Sequence, residues 1–142
     1  MKFINRNSDY RYINAGVFLI NLKKFKEDNV EKKFLDFINK YCGNVPHHDQ
    51  GILNGICGEK ILYLHPKYNL MPEMIYMNSK QIKRLYKVKI YYNDKELQEA
   101  KESPIIIHFL TKWYNRPWYK SCTHPMKNLY IKYLNLSGFD TE

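Results

Sequence analysis

The sequence predicts an α/β fold, and three observations carry that prediction. An apolar run, Val17-Phe18-Leu19-Ile20, has the length and composition of a strand. From Leu22 to Tyr41 the period changes, and Val30, Phe34, Phe37, Ile38 and Tyr41 fall on one helical face with Lys and Glu between them. Further on, Pro104 introduces Ile105-Ile106-Ile107-His108-Phe109, the most strand-like segment of the chain. Apolar strands alternating with amphipathic helices pack as a sheet flanked by helices.

The elements follow in order. Asn14-Ala15-Gly16 is a small-residue turn ahead of the first strand. Gly43, Asn44 and Pro46 end the first helix. A short helix spans Asp49 to Gly58, with Asp49 as N-cap, Ile52, Leu53 and Ile56 on the buried side, and Gly58 as the stop. Ile61-Leu62-Tyr63-Leu64 reads as a short buried strand running into His65-Pro66. From Glu73 to Ser103 the signals are mixed, apart from a polar helix around Asp94 to Lys101. A last helix from about Pro125 to Leu136 pairs Leu129 with Tyr133 and Tyr130 with Leu134. The order yields about three core strands whose edges need partners or cover. Residues 1–142 therefore read as a single partial domain, a piece of a sheet domain.

Composition narrows the class. At 142 residues, 44% hydrophobic and 26% charged, the chain suits one soluble globular domain with a real core. No apolar run approaches the ~20 residues that cross a bilayer, and Met1 to Arg6 lacks the pattern of a signal peptide. Cys42, Cys57 and Cys122 are odd in number and widely spaced, which argues against a disulfide framework and fits a reducing cytoplasm. The net charge of +9 favours anionic partners, including the inner face of a membrane. Lys supplies 19 of the 23 basic residues, however, and these are scattered beside abundant Asn, Ile and Tyr. All four residue types have A/T-rich codons, so the excess is not a base-reading stripe and no nucleic acid is expected.

Three places carry chemistry. His108 ends a β-branched run, where a strand would deliver it to the carboxyl edge of a sheet, the edge at which open α/β folds bind ligands. The bland alternative is a core histidine bonded to a backbone carbonyl. Thr111, Lys112, Trp113, Asn115 and Arg116 follow as a basic, aromatic loop suited to an anionic ligand with a ring. Asp49 and Gln50 open a helix, where they can meet sugar hydroxyls or simply cap. Asn14 can bond a ligand or its own turn. His47-His48-Asp49 is a poor metal site, because adjacent residues seldom converge on one ion without a third ligand. There is no phosphate-binding glycine loop, nucleophile elbow or paired-cysteine metal motif.

Together the segments resemble one family. Tyr12-Ile13-Asn14-Ala15-Gly16-Val17-Phe18-Leu19-Ile20-Asn21-Leu22, then His48-Asp49-Gln50-Gly51-Ile52-Leu53-Asn54, then Tyr68-Asn69-Leu70-Met71-Pro72, then Ile106-Ile107-His108-Phe109 with Arg116-Pro117-Trp118, resembles the C-terminal half of glycosyltransferase family 8. That family includes lipopolysaccharide galactosyl- and glucosyltransferases and glycogenin. The resemblance implies the C-terminal portion of a GT-A fold, a mixed sheet flanked by helices. It further implies a UDP-sugar donor, Mn2+ (or Mg2+), a glycan or lipopolysaccharide-type acceptor, and transfer with retention.

On the same basis His108 matches the metal-coordinating histidine. Asn14, Ala15, Asp49 and Gln50 match the donor-sugar pocket, with Asp49 and Gln50 nearest the chemistry. Arg116 stands where the family has a diphosphate-binding lysine, with Lys112 as the other candidate in a loop two residues longer than usual. Thr111 replaces a glycine beside the diphosphate, and Gly51 is a variant of some branches. No Asp-x-Asp occurs in the 142 residues, so the carboxylates that complete the metal site, and the nucleotide-binding N-terminal half, are expected on other residues or a separate chain. Alone, the chain is expected to be inactive. The alternatives are a non-catalytic module that docks to a nucleotide-binding chain or an anionic membrane surface, and, more remotely, a basic aromatic nucleic-acid binder.

Overall fold

A computed structural model describes residues 11–110 and 114–139, without the side chain of Glu59. The chain divides into two compact units, Met1–Leu64 with Lys83–Tyr92 and His65–Ile82 with Asn93–Glu142.

In the first unit, Asn21 caps α1 (Leu22–Glu27) by accepting from the Lys24 N–H at 3.0 Å. The single helix expected from Leu22 to Tyr41 is in fact two. Asn29 takes a left-handed conformation (φ 49°) and α2 restarts as Val30–Lys40. A short polar side chain such as Asn tolerates that conformation better than most residues. The apolar face read from the sequence is the packing face: Phe34 meets Phe25 edge-on at 5.8 Å, and Phe37 lies 4.8 Å from Tyr41. α3 (His48–Cys57) packs on α2. The approach is close at Gly55, where a Cβ would lie 2.7 Å from Phe37 Cζ.

α3 starts one residue earlier than predicted. The His47 carbonyl accepts the first helical bonds, from Gln50 and Gly51, so His47 is the cap and Asp49 sits inside the first turn. Asp49 still contributes there, because a negative charge is favoured near a helix N-terminus. Gly51 is buried against the preceding loop, and a Cβ would lie 2.0 Å from the Pro46 carbonyl oxygen. Gly58 does not stop the chain in a left-handed turn; it leads into a 3-10 turn, Gly58–Lys60.

In the second unit, Pro66–Tyr68 forms a 3-10 turn, and Pro72 opens α4 (Pro72–Tyr76). The mixed pattern after Glu73 predicts neither α4 nor α5 (Ser79–Tyr86), of which this unit holds the part up to Ile82. α6 (Asp94–Glu102) carries a full capping box, Asn93 with Glu96, and buries Leu97 and Ala100. α7 (Lys127–Ser137) has no fully buried residue; of the pairs read from the sequence, Leu129 with Tyr133 lies exposed, at 39% and 67%, while Tyr130 and Leu134 are half-buried.

The expected strands are the main correction. Among the described residues the only ladder is a parallel bridge, Leu70 with Ile107. The run 17–20 and the run 61–64 have no strand neighbour among the described residues, and Leu19 and Leu62 are more than nine-tenths exposed. A strand needs partners for its N–H and C=O groups, and sheets become stable at about three strands with a covered face. Here the β-prone segments stay irregular and largely unpaired among the described residues, and the chain is mostly helical.

Candidate functional site

The first unit brings together two of the predicted segments. Asn14 Oδ1 accepts from the Gly16 N–H at 2.9 Å, closing the turn on itself. Its Nδ2 donates to Gln50 Oε1 at 3.2 Å, and the Ala15 N–H donates to the same oxygen at 3.1 Å. Asn14 therefore does both jobs, turn closure and a link across 36 positions of sequence. Ala15 is buried at the centre of the corner, Gln50 is half-buried, and Asp49 is exposed at the helix tip beside them. Since Gln50 Oε1 already accepts from two donors, its amide oxygen is poorly placed to act as a nucleophile.

Asn54, one turn further along α3, locks the same corner. It is fully buried and accepts from the Ile13 N–H at 2.8 Å while donating to the Ile13 carbonyl at 2.9 Å and to the Gln50 carbonyl at 2.7 Å. Its side-chain amide thus replaces a strand neighbour for Ile13. Burial raises the pKa of the Tyr12 phenol; Gln50 partly offsets this and the Asp49 charge adds to it.

In the second unit the bridge sets the geometry around His108. The Leu70 N–H donates to Ile106 O at 2.9 Å and the His108 N–H to Leu70 O at 3.0 Å. Paired residues share a face and their neighbours take the other. Leu70 and Ile107 therefore face one way, while Asn69 and His108 face the other. There the His108 Nδ1 lies 2.9 Å from Asn69 Oδ1. The ring is half-buried, and its partner is a side chain, not a backbone carbonyl. Burial lowers the His108 pKa, opposed by the nearby carboxylate of buried Glu73, so the neutral ring is favoured near pH ~7.

Further along the same unit, the Arg116 guanidinium lies over the Trp118 ring at 5.2 Å. Phe109 and Tyr114 pack against His124, and Tyr130 in turn meets Phe109 and Trp118. Thr111 and Lys112, predicted at the diphosphate, lie outside the described residues.

The donor chemistry of His108 fits a divalent transition ion as one imidazole ligand, because a neutral ring whose Nδ1 is occupied offers Nε2. It does not make a site alone: among the described residues no three of His, Cys, Asp and Glu come together as a metal-holding group. Asn54, Asn69 and Glu73 carried no assigned role in the sequence, although the first two lie inside the quoted segments. For Asn54 the available signal was its position four residues after Gln50, hence on the same helical face.

Comparison with known proteins sharpens the class first. The backbone aligns over 94% of the chain with 45% of an active-site mutant of LgtC, at 22% identity and a TM-score of 0.59. That likeness is one of fold and supports a glycosyltransferase fold, although among the described residues the sheet expected from the sequence is reduced to one bridge. The family model for glycosyl transferase family 8 matches residues 2–122, and the chain belongs to that family. It is 36% identical over 131 residues to a putative glycosyltransferase of Haemophilus influenzae, and 29% identical over 133 residues to a lipopolysaccharide 1,2-glucosyltransferase of Escherichia coli. These alignments take in 92% and 91% of this chain but only 34% and 36% of those proteins, so the chain spans about a third of their length. Among the described residues no helix is long and apolar enough to cross a membrane.

Proposed function

We propose that this chain is the C-terminal part of a retaining hexosyltransferase that moves a sugar from a UDP-sugar to a glycan or lipopolysaccharide-type acceptor at the cytoplasmic side of a membrane. The observation that carries the reading is the Asn14–Gln50–Ala15 knot. Two segments that resemble the family's donor-sugar pocket, far apart in sequence, share hydrogen bonds at 3.1 and 3.2 Å beside the exposed Asp49.

Each residue then has a physical task. Asp49 accepts from donor-sugar hydroxyls, Ala15 leaves room for the ring, and Asn14 and Gln50 hold the turn in place. Breaking the sugar–phosphate bond develops negative charge on the diphosphate, which Arg116 or Lys112 offsets with fixed positive charge. A divalent ion held by His108 and by carboxylates from a nucleotide-binding half would supply further stabilisation of that charge. With the Gln50 oxygen engaged by the turn, a same-face attack assisted by the leaving phosphate fits better than a covalent sugar on Gln50.

The partner that completes the site is a D-x-D-bearing half-domain, on the same polypeptide or another. The exposed Leu19 and Leu62, in segments with strand composition, support a surface for it. The test is reconstitution. The chain alone is expected to bind no UDP at micromolar level by calorimetry in manganese buffer and to transfer no sugar. Paired with the N-terminal half of a family relative, it should turn over a UDP-sugar, and His108→Ala should abolish most of that rate. Turnover by the chain alone, or a reconstituted pair indifferent to His108, refutes the reading. Salt-sensitive binding to anionic vesicles without turnover in any pairing would favour the docking module instead.

A further inference from the structure

The histidines of the second unit are held in two opposite ways. His65 Nδ1 accepts from the Lys67 N–H at 3.3 Å, and its Nε2 faces Glu99 at 3.2 Å, so the hydrogen of the neutral ring sits on Nε2. His124 Nδ1 accepts from the Met126 N–H at 3.1 Å, which again leaves the hydrogen on Nε2. Such a local bond to the backbone two residues on is open to any histidine at the start of a turn. His108 departs from this pattern. Its Nδ1 faces an amide oxygen, Asn69 Oδ1, at 2.9 Å, and an oxygen of that kind only accepts. The hydrogen of the neutral ring therefore belongs on Nδ1. Nε2 keeps its lone pair, and among the described residues it makes no hydrogen bond.

The contact is built, not incidental. Residue 69 lies beside the bridging Leu70, which is fully buried, and residue 108 lies beside Ile107 on the other side of the bridge. The backbone pairing fixes both side chains on one face.

We propose that Asn69 is a positioning residue that selects the Nδ1–H tautomer of His108 and so presents Nε2 as the metal-binding nitrogen. This rests on the reading of His108 as a metal ligand, but the tautomer itself does not depend on any metal. Metal-bound histidines usually donate their second ring N–H to an oxygen, which fixes both the tautomer and the ring orientation.

The experiment is a long-range 1H–15N correlation of the imidazoles in the labelled 142-residue chain at about pH 8, where an ordinary imidazole of pKa ~6.5 is neutral. His65 and His124 serve as internal references for the Nε2–H form. His108 is expected to show the reverse pattern, with a protonated Nδ1 and a bare Nε2. Asn69→Asp, which keeps an acceptor, should preserve it, and Asn69→Leu should shift His108 toward the Nε2–H form. A wild-type His108 in the Nε2–H form overturns the proposal, as does a folded Asn69→Leu chain that keeps Nδ1–H. If Asn69→Leu fails to fold, the wild-type and Asn69→Asp spectra decide alone.

In a reconstituted transferase, Asn69→Leu should raise the Mn2+ concentration for half-maximal rate by about 10–100-fold. The rate at saturating metal should change little, and Asn69→Asp should stay near wild type. A reversed tautomer with a His108-dependent enzyme removes only the role of Asn69. The expected tautomer with an enzyme indifferent to His108 removes the metal reading and, with it, the purpose assigned to Asn69.

Discussion

Two corners of this molecule hold residues of the candidate site, and they are built on different principles. Around Ile13–Gly16 the chain enters a turn with no strand beside it among the described residues, and side-chain amides do the work of a sheet. Asn54 satisfies both the N–H and the carbonyl of Ile13, and Gln50 takes the Ala15 N–H. Around Leu70 and Ile107 the backbone pairs with itself, and the side chains of Asn69 and His108 meet each other on one face of that bridge. A corner closed by side chains fails when one residue changes. A corner closed by main chain should tolerate a side-chain change with its backbone pairing intact.

The largest expected effect tests that contrast directly. Asn54→Ala removes three hydrogen bonds and strands the polar groups of Ile13, so it should destabilise the first unit by about 2–4 kcal/mol. Asn69→Ala leaves the Leu70–Ile107 pairing intact and should cost about 1 kcal/mol or less. Urea unfolding gives the totals, and native-state hydrogen exchange at the Ile13 and Leu70 amides assigns them to the two corners. Equal losses at both amides would erase the distinction.

A smaller effect is expected from a local cap in the second unit. Asn93 accepts from the Glu96 N–H at 2.9 Å and Glu96 returns a bond to the Asn93 N–H at 2.7 Å. Asn93→Ala should lower stability by ~1 kcal/mol, measured as a shift of the urea midpoint. Leu97 and Ala100 are buried behind this cap, so the loss should appear as faster exchange in α6 before anywhere else.

The two units should also differ in where acid begins to hurt them. In the second, burial lowers the pKa of both His124 and His108. The folded state then holds fewer protons than the unfolded state at pH values from just below ~6.5 down to the lowered values. Stability is complete above that window and falls as pH drops through it. His124→Phe keeps a ring against Phe109 and Tyr114 and should weaken the dependence, leaving the share that belongs to His108. The readout is the urea midpoint followed from about pH 7.5 to pH 5, the range in which a free imidazole of pKa ~6.5 titrates. A variant as acid-sensitive as the parent would remove His124 from the account.

Much of this was legible in the sequence, for physical reasons that can be named. The face of α2 followed from helical periodicity, α6 was legible only as a polar helix, and the four motifs pointed to the family. The pairing of Asn14 with Gln50 followed only in outline, because a motif order says that segments belong to one site without saying which atoms meet. The strands were over-read. Val17–Ile20 and Ile61–Leu64 have β composition, but a ladder is a property of two segments, and neighbours for these are absent among the described residues. The cap of α3 was misplaced by two residues because His47 has no cap signature; its carbonyl is what starts the helix. The roles of Asn54 and Asn69 were invisible because an asparagine reads as a turn residue wherever it stands.

The smallest effect concerns the surface of the first unit. Asp28 receives Lys60 Nζ at 3.0 Å, and Lys24 stands 3.5 Å away. The hydrogen bond from Lys60 is the main reason its carboxyl titrates below the usual 3.8, with Lys24 adding to it. The sign is opposite to that of the histidines. A lowered carboxyl pKa stabilises the fold above the unfolded value and loses that contribution as pH falls through the folded value. Both lysines are well exposed, so solvent and salt screen the pair and no measurable change in the urea midpoint is expected from Lys60→Ala. The change should appear in the titration itself. Followed by carboxyl 13C shifts, the Asp28 midpoint should move upward in the variant yet stop short of the ordinary value, because Lys24 remains. An unmoved midpoint would assign the effect to Lys24.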